Sequence, residues 1–165
     1  MLACCNHWSV QAGQVDDVTE AVLSASRVLV GIAARSIAAV DSEVTLPRYR
    51  ALVVLCGSGT LPMSDLAERL GCSRSTATRL CDRLVRDGLV ERRSREDDRR
   101  SVEVVVTRRG ADLVRKVTDR RREEIATVIA ELPVGQRTAL VEALRAFADA
   151  ANEAPDQAWT TGWEL

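Results

Sequence analysis

The apolar positions of the chain recur at helical spacing near both of its ends. Over about residues 16–41, and again from Thr107 onward, an apolar residue returns every three or four positions. Pro133 and Gly135 are expected to break the second segment, so a last helix is predicted over residues 136–151. These amphipathic helices have more apolar surface than one small domain needs to cover. Because such a helix usually finds its partner in a second chain, the pattern predicts a homodimer.

Between these segments, residues 61–93 read LPMSDLAERLGCSRSTATRLCDRLVRDGLVERR and predict two short helices joined by a tight turn. Ser64 is placed to cap the first helix and Gly71 to close it in a left-handed turn, while Ser73 is placed to cap the second. The second helix ends at Gly88, and its apolar stripe consists of Ala77, Leu80, Cys81, Leu84 and Val85. Two helices in this arrangement, the second basic on its outer face, form a helix-turn-helix.

Two strands are predicted after the helix pair, over residues 89–93 and 102–107. The stretch that joins them, SREDDRRS, contains six consecutive charged residues. A helix-turn-helix followed by a β-hairpin is a winged helix, and the charged stretch is the tip of its wing. With a further helix predicted after Pro47, the expected fold is mainly α with a small β-hairpin wing, flanked by long N- and C-terminal dimerisation helices.

The pattern divides the chain into five segments. They are a flexible N-terminal arm at 1–15, a dimerisation helix at 16–45, a winged helix-turn-helix at 46–110, dimerisation helices at 111–151 and a C-terminal tail at 152–165.

Charge is unevenly distributed along the chain. The formal net charge is −1, yet residues 69–109 contain twelve arginines against seven acidic residues. A basic segment inside a nearly neutral protein indicates a face that meets a polyanion. The segment coincides with the helix-turn-helix and the wing, so double-stranded DNA is the expected partner.

The outward side chains of the second helix have the chemistry that reads a DNA groove. Arginine offers two donors to guanine, serine and threonine make short contacts to bases or phosphates, and a helix N-terminus attracts phosphate. At the wing tip, an arginine can enter the minor groove while a neighbouring carboxylate orients it. The alternatives are a solvated helix face and an exposed ion pair of little energetic consequence. The candidate DNA-binding residues are Ser64, Ser73, Arg74, Ser75, Thr76, Thr78, Arg79, Arg83, Asp98, Arg99 and Arg100.

Cysteine and histidine usage argues against a metal site, a cofactor or an active site. The five cysteines are scattered and the single histidine, His7, lies near the start, with no Cys-x-x-Cys pair. Cys4 and Cys5, with His7 close by in the sequence, fit a site that binds a metal or senses an oxidant. They also fit a frayed chain end without any such role. Without a catalytic triad or a phosphate-cradling glycine loop, no enzyme and no cofactor is expected.

The cellular location is predicted from two features that the sequence lacks, a secretion signal and a long uncharged apolar run. The N-terminal residues have neither the basic region nor the apolar stretch of a secretion signal, and no run of 18 uncharged apolar residues occurs. We therefore expect no membrane association, and free thiols in a reducing cytoplasm.

The segment LAERLGCSRSTATRLCDRLVRDGLVERRSREDDRRSVEVVVTRRG resembles the MarR family of bacterial transcription regulators. The pattern D-x-R…V-x-V-T-x-x-G is present as Asp98, Arg100, Val104, Val106, Thr107 and Gly110. The resemblance implies a homodimer whose terminal helices interlock and whose winged helices each read half of a pseudo-palindrome. For many members it also implies a small aromatic acid bound between the dimer helices and the DNA-binding lobe, so a repressor released by an effector is expected.

The sequence leaves open two questions about this resemblance, peroxide sensing and the role of the winged helix. One branch of the family senses organic peroxides through a cysteine early in its first helix, and no cysteine lies between residues 6 and 55 here. A winged helix can also serve as a protein–protein module or as a constitutive architectural DNA binder. A module that does not bind DNA would favour apolar or acidic outward residues on the second helix, which instead has arginine, serine and threonine there.

Overall fold

The computed structural model describes residues 4–94 and 102–151, which form six helices and a three-stranded antiparallel sheet within these ranges. In chain order the elements are α1 (Cys4–Val40), α2 (Leu46–Ser58), β1 (Leu61–Pro62), α3 (Met63–Arg69), α4 (Arg74–Arg86), β2 (Val90–Ser94), β3 (Val102–Val106), α5 (Arg108–Ala130) and α6 (Val134–Ala150). The predicted fold class, mainly α with a small β wing, is confirmed.

The sheet has one strand more than the sequence predicted. Its order is β1-β3-β2, with Leu61 opposite Val104 on one side of β3 and Arg92 opposite Val104 on the other. The two-residue strand β1 has no alternating pattern of its own. It exists because the chain entering α3 runs beside β3, so the base of the wing is attached directly to the helix-turn-helix.

The hydrophobic core lies where α2, α3, α4, the sheet and the first turns of α5 meet. It is aliphatic, and its fully buried side chains include Leu52, Leu55, Leu66, Leu84, Leu89 and Val117. Burying each leucine stabilises the fold by roughly 1.5–3 kcal/mol relative to exposure. Of the apolar stripe predicted on α4, Ala77, Cys81 and Leu84 are buried, whereas Val85 is 36% exposed at the edge of the stripe.

Four predicted helix boundaries are confirmed by their capping contacts. Gly71 and Gly88 adopt left-handed φ values of 62° and 69° after α3 and α4, a region that glycine enters without a steric penalty. Ser73 and Thr107 cap α4 and α5 by accepting hydrogen bonds from the amides of Thr76 and Gly110. The helix-turn-helix and the junction into α5 are therefore specified by local sequence.

Three other predictions about helix ends were wrong. Helix α1 begins at Cys4 instead of about residue 16, so its backbone runs through most of the predicted arm. The N-cap of α3 is Pro62, because β1 leads straight into the helix, and the Ser64 hydroxyl donates to Asp65 Oδ1 at 2.8 Å instead of capping. Gly135 does not break a helix but lies in the first turn of α6. The five-segment division of the chain stays a prediction.

Helices α1 and α6 have large apolar surfaces that the rest of the described chain leaves uncovered. No residue of α6 is buried. The exposed apolar side chains on these two helices are Val15, Val18, Val22, Leu23, Val28, Leu29, Val30, Val134, Val141, Leu144 and Phe147. By length and composition alone, Gln14–Val40 could cross a membrane, although Arg27 and Arg35 interrupt its apolar run. Ile32 and Ile37 are buried in the fold, but only 22% of the apolar window of this helix is buried.

Candidate DNA-binding surface

The N-terminal turn of α4 presents a cluster of hydroxyl groups around a capped helix end. Ser73 Oγ accepts a hydrogen bond from the amide of Thr76 at 3.2 Å, and it lies 2.9 Å from Ser75 Oγ and 3.0 Å from Thr76 Oγ1. A helix N-terminus carries partial positive charge and favours anions. The cap therefore fixes a site that combines hydroxyl donors with a favourable dipole.

The face of α4 opposite the buried stripe carries most of the candidate residues. Thr76 and Thr78 are half-buried, and the Thr78 hydroxyl donates to the carbonyl of Arg74 at 2.8 Å. Six candidates are exposed, namely Ser64, Ser73, Arg74, Ser75, Arg79 and Arg83. Ser64 lies on α3, whereas the other five lie at the start of α4 or along it. Asp98, Arg99 and Arg100 lie outside the described residues.

Four guanidinium groups on α4 have no acidic partner within residues 4–94 and 102–151; they belong to Arg74, Arg79, Arg83 and Arg86, of which Arg86 donates to the main-chain carbonyl of Asp82. Arg79 and Arg83 are one helical turn apart, where like charges destabilise a helix by roughly 0.2–0.5 kcal/mol. A polyanion placed against this face would relieve that repulsion. The electrostatics of the surface therefore favour phosphate.

The sequence did not reveal how the wing is attached to α4. Arg92 on β2 forms an ion pair with Asp82 on α4, with 2.6 Å between Nη2 and Oδ1. This contact ties the first strand of the wing to the middle of the helix. The two residues are ten positions apart and lie on different elements, so no single helical or strand period relates them and only the folded chain shows the pair.

The C-terminal end of α4 is joined to the start of α5. The Thr107 hydroxyl donates to the carbonyl of Gly88 at 2.8 Å, and the Thr107 amide donates to the carbonyl of Leu89 at 3.0 Å. Thr107 also caps α5, so one residue ends the wing, begins α5 and holds the turn after α4. A shift of α5 would therefore act directly on α4.

Cys56, Cys72 and Cys81 pack in or against the hydrophobic core. Burial raises the pKa of the Cys56 thiol to about 12. Burial also raises the pKa of Cys81 to about 11, although the nearby Arg92 partly opposes this. Thiols with such a pKa stay protonated near neutrality and react slowly. Among the residues that the structure describes, no group of three His, Cys, Asp or Glu side chains is arranged to hold a metal ion.

Comparison with known proteins decides the family. The MarR family model matches residues 44–102. The uncharacterised HTH-type transcriptional regulator YfiV of Bacillus subtilis (strain 168) is 32% identical over 112 residues, which are 68% of this chain and 70% of YfiV. The crystal structure of Rv1404 from Mycobacterium tuberculosis has a TM-score of 0.80 at 42% identity, covering 86% of this chain and 96% of that one. The chain belongs to the MarR family.

As a MarR protein, the chain is a DNA-binding transcription regulator. A DNA complex shows the same MarR fold: the crystal structure of FabT from Streptococcus pneumoniae with DNA has a TM-score of 0.71 at 16% identity, covering 84% of this chain and 97% of FabT. The predicted family and its class of function are confirmed.

Proposed function

We propose that this MarR protein is a cytoplasmic repressor that binds a pseudo-palindromic operator as a homodimer and is released by a small aromatic effector. The observation that supports the operator contact is the exposed face of α4, where a capped N-terminus is followed by four arginines without an acidic partner in the described chain. If this face of α4 only contacted water, leaving its arginines without ion pairs would bring no benefit.

The side chains of α4 divide into two groups by their place along the helix. Near its N-terminus, Ser73, Ser75 and Thr76 offer hydroxyls beside the positive end of the helix dipole, which suits a phosphate. Arg79 and Arg83, one and two turns further on, are long enough to reach base edges in the major groove. Arg74, Thr78 and Ser64 flank them and fit backbone contacts. In the wing, Asp98, Arg99 and Arg100 are proposed to contact the flanking minor groove.

The second chain of the homodimer is proposed to cover the apolar faces of α1 and α6. On α6, Phe147 is 56% exposed and Leu144 is 53% exposed. Burying these apolar side chains against a partner chain would remove the free-energy cost of their contact with water. A two-fold axis then relates two copies of α4. Their half-sites would lie about 10 bp apart, centre to centre, because both helices enter the same face of the duplex.

The effector is proposed to bind a groove between the end of α1 and the first half of α5. A cavity of 420 Å³ there is lined by Val40 and Leu113, by the basic side chains of Arg108, Arg109 and Lys116, and by the acidic side chains of Asp41 and Asp112. A carboxylate could pair with Lys116 while an aromatic ring packs on Val40 and Leu113. The groove adjoins the start of α5, where Thr107 holds the end of α4, so occupancy could change the DNA-binding helix.

The test begins with operator sequences selected from random DNA by the wild-type protein. Arg79→Ala should weaken binding of the selected site by about 1–3 kcal/mol and relax preference at the half-site centre. Arg100→Ala should weaken it similarly and flatten the salt dependence by about one phosphate equivalent. Replacing A·T by G·C in the flanks should mimic Arg100→Ala, and Asp98→Ala should cost less. Arg115→Ala, which removes an exposed ion pair on α5, is the matched control.

Two outcomes would contradict the proposal. If wild type and Arg79→Ala bind every DNA equally, the face of α4 is merely solvated. If selection yields no preferred sequence at all, a constitutive architectural role or a protein–protein role replaces the operator-binding one. The effector proposal is tested separately, by measuring whether aromatic acids release wild-type protein from the selected DNA but fail to release Lys116→Ala.

A further inference from the structure

Arg48 on α2 has an unusual environment for a charged side chain. The residue is only 8% exposed. Its guanidinium donates to Asp87 Oδ2 at 3.0 Å, to Thr45 Oγ1 at 3.4 Å and to the main-chain carbonyl of Glu43. A buried charge is costly unless it is paired and hydrogen-bonded, and here each nitrogen of the guanidinium has an acceptor. The position of the group is therefore tightly determined.

The acceptors belong to two parts of the molecule. Glu43 and Thr45 lie in the connector between α1 and α2, while Asp87 is the residue that ends α4. Arg48 thus links the end of the long N-terminal helix to the end of the DNA-binding helix. On its other side, the same end of α4 is held by Thr107.

We propose that Arg48 is a positioning residue for DNA recognition, which fixes the orientation of α4 relative to α1 through Asp87. This inference rests on the proposed operator binding. Base readout depends on the angle at which α4 enters the groove, whereas contacts to the phosphate backbone tolerate a change in that angle. Because Arg48 is buried, it acts on the operator through α4 and not by touching DNA.

The inference predicts a selective loss of specific binding. Arg48→Met keeps an unbranched apolar stem but removes every donor. Its dissociation constant for the selected operator should rise roughly 10-fold, the equivalent of one base contact, while binding to unrelated DNA stays unchanged. The slope of affinity against salt should also stay unchanged, since no phosphate contact is removed. Fluorescence anisotropy with both DNAs over a salt series measures all three quantities.

A double-mutant cycle identifies the partner of Arg48. Asp87→Asn should reproduce part of the loss, and combining it with Arg48→Met should cost no more than Arg48→Met alone, because the two side chains form one contact. Arg115→Met removes an exposed arginine paired with Asp112 and serves as the control, which should bind both DNAs like wild type. If Arg48→Met fails to fold, Arg48→Lys and Asp87→Asn provide the same comparison in milder form.

Each other result overturns the inference. Equal losses on operator and unrelated DNA, with a shallower salt slope, would make Arg48 a phosphate contact. Unchanged operator affinity of the folded protein, together with a lower urea midpoint, would make it a stabilising residue only. Failure of the proposed function looks different, because wild type itself would then show no preferred sequence.

Discussion

Adding one methyl group at Gly110 tests how tightly α5 is joined to the DNA-binding lobe. Gly110 lies in the first turn of α5 and is buried against the turn that follows α4. A Cβ atom there would lie 2.1 Å from the carbonyl oxygen of Leu89 and 2.8 Å from Cγ2 of Val106. Side-chain rotation cannot relieve the first contact, because the oxygen belongs to the backbone. In Gly110→Ala, α5 and the turn must therefore move apart.

The magnitude follows from three contributions. Forcing extra volume into a packed site costs typically 1–3 kcal/mol. Displacing the Leu89 carbonyl also weakens the hydrogen bond that it accepts from the Thr107 amide at 3.0 Å, a loss of about 1 kcal/mol. Alanine is the better helix former by up to about 1 kcal/mol, which offsets part of the loss. The free energy of unfolding should fall by roughly 1–3 kcal/mol.

Urea unfolding at one fixed protein concentration measures the change, because a dimer makes the midpoint depend on concentration. Gly135→Ala provides a matched control in the first turn of α6. Nothing lies within 4 Å of its added methyl group, so helix propensity alone should leave it as stable as wild type or slightly more so. A Gly110→Ala midpoint equal to or above that of wild type would refute the close packing of α5 on Leu89.

Further measurements test the thiols and the apolar faces. Burial raises the pKa of Cys56 from 9.0 to about 12 and that of Cys81 from 9.0 to about 11. The free energy of unfolding should therefore fall as pH rises above about 9, because these thiols then ionise in the unfolded chain but stay protonated in the folded one. Measured by urea unfolding, the free energy of unfolding should fall by up to about 1.4 kcal/mol per thiol per pH unit. An equally steep fall in Cys81→Ala would show that the Cys81 thiol does not contribute to it. Phe147→Asp should turn a dimer into a monomer in sedimentation at micromolar concentration; a monomeric wild type would disprove the interface. Peroxide-treated and reduced protein should bind DNA alike, because no cysteine lies between residues 6 and 55. A loss of binding that is abolished by Cys72→Ser, in the turn just before α4, would show the opposite.

The features that the sequence predicted correctly depend on partners close in the chain. Ser73 and Thr107 cap helices through amides three residues further on, and Gly71 and Gly88 are recognisable because a left-handed turn favours glycine. The periodic stripe on α4 predicted its buried face for the same reason. These short-range rules were enough for the winged helix and for the outward face of α4, which holds most of the candidate site.

The features that were missed depend on distant partners or on the absence of a local signal. Strand β1 pairs with residues about forty positions later, so nothing in its own two residues predicts it. Arg48 reads as an ordinary surface arginine until Asp87 is folded against it. The start of α1 was placed too late because its apolar stripe begins late, whereas an established helix extends at little cost.

The order of the sheet has a consequence for how the protein behaves at high concentration. Both outer strands would be open to pairing with strands of other molecules, the usual route to aggregation of exposed edges. Strand β1 is only two residues long and one of them, Pro62, has no amide hydrogen to donate. Strand β2 presents Glu91, Arg92 and Arg93, whose charges oppose a second copy. The wing can therefore stay exposed without recruiting further strands, and a variant with apolar residues at 91–93 should precipitate before it unfolds.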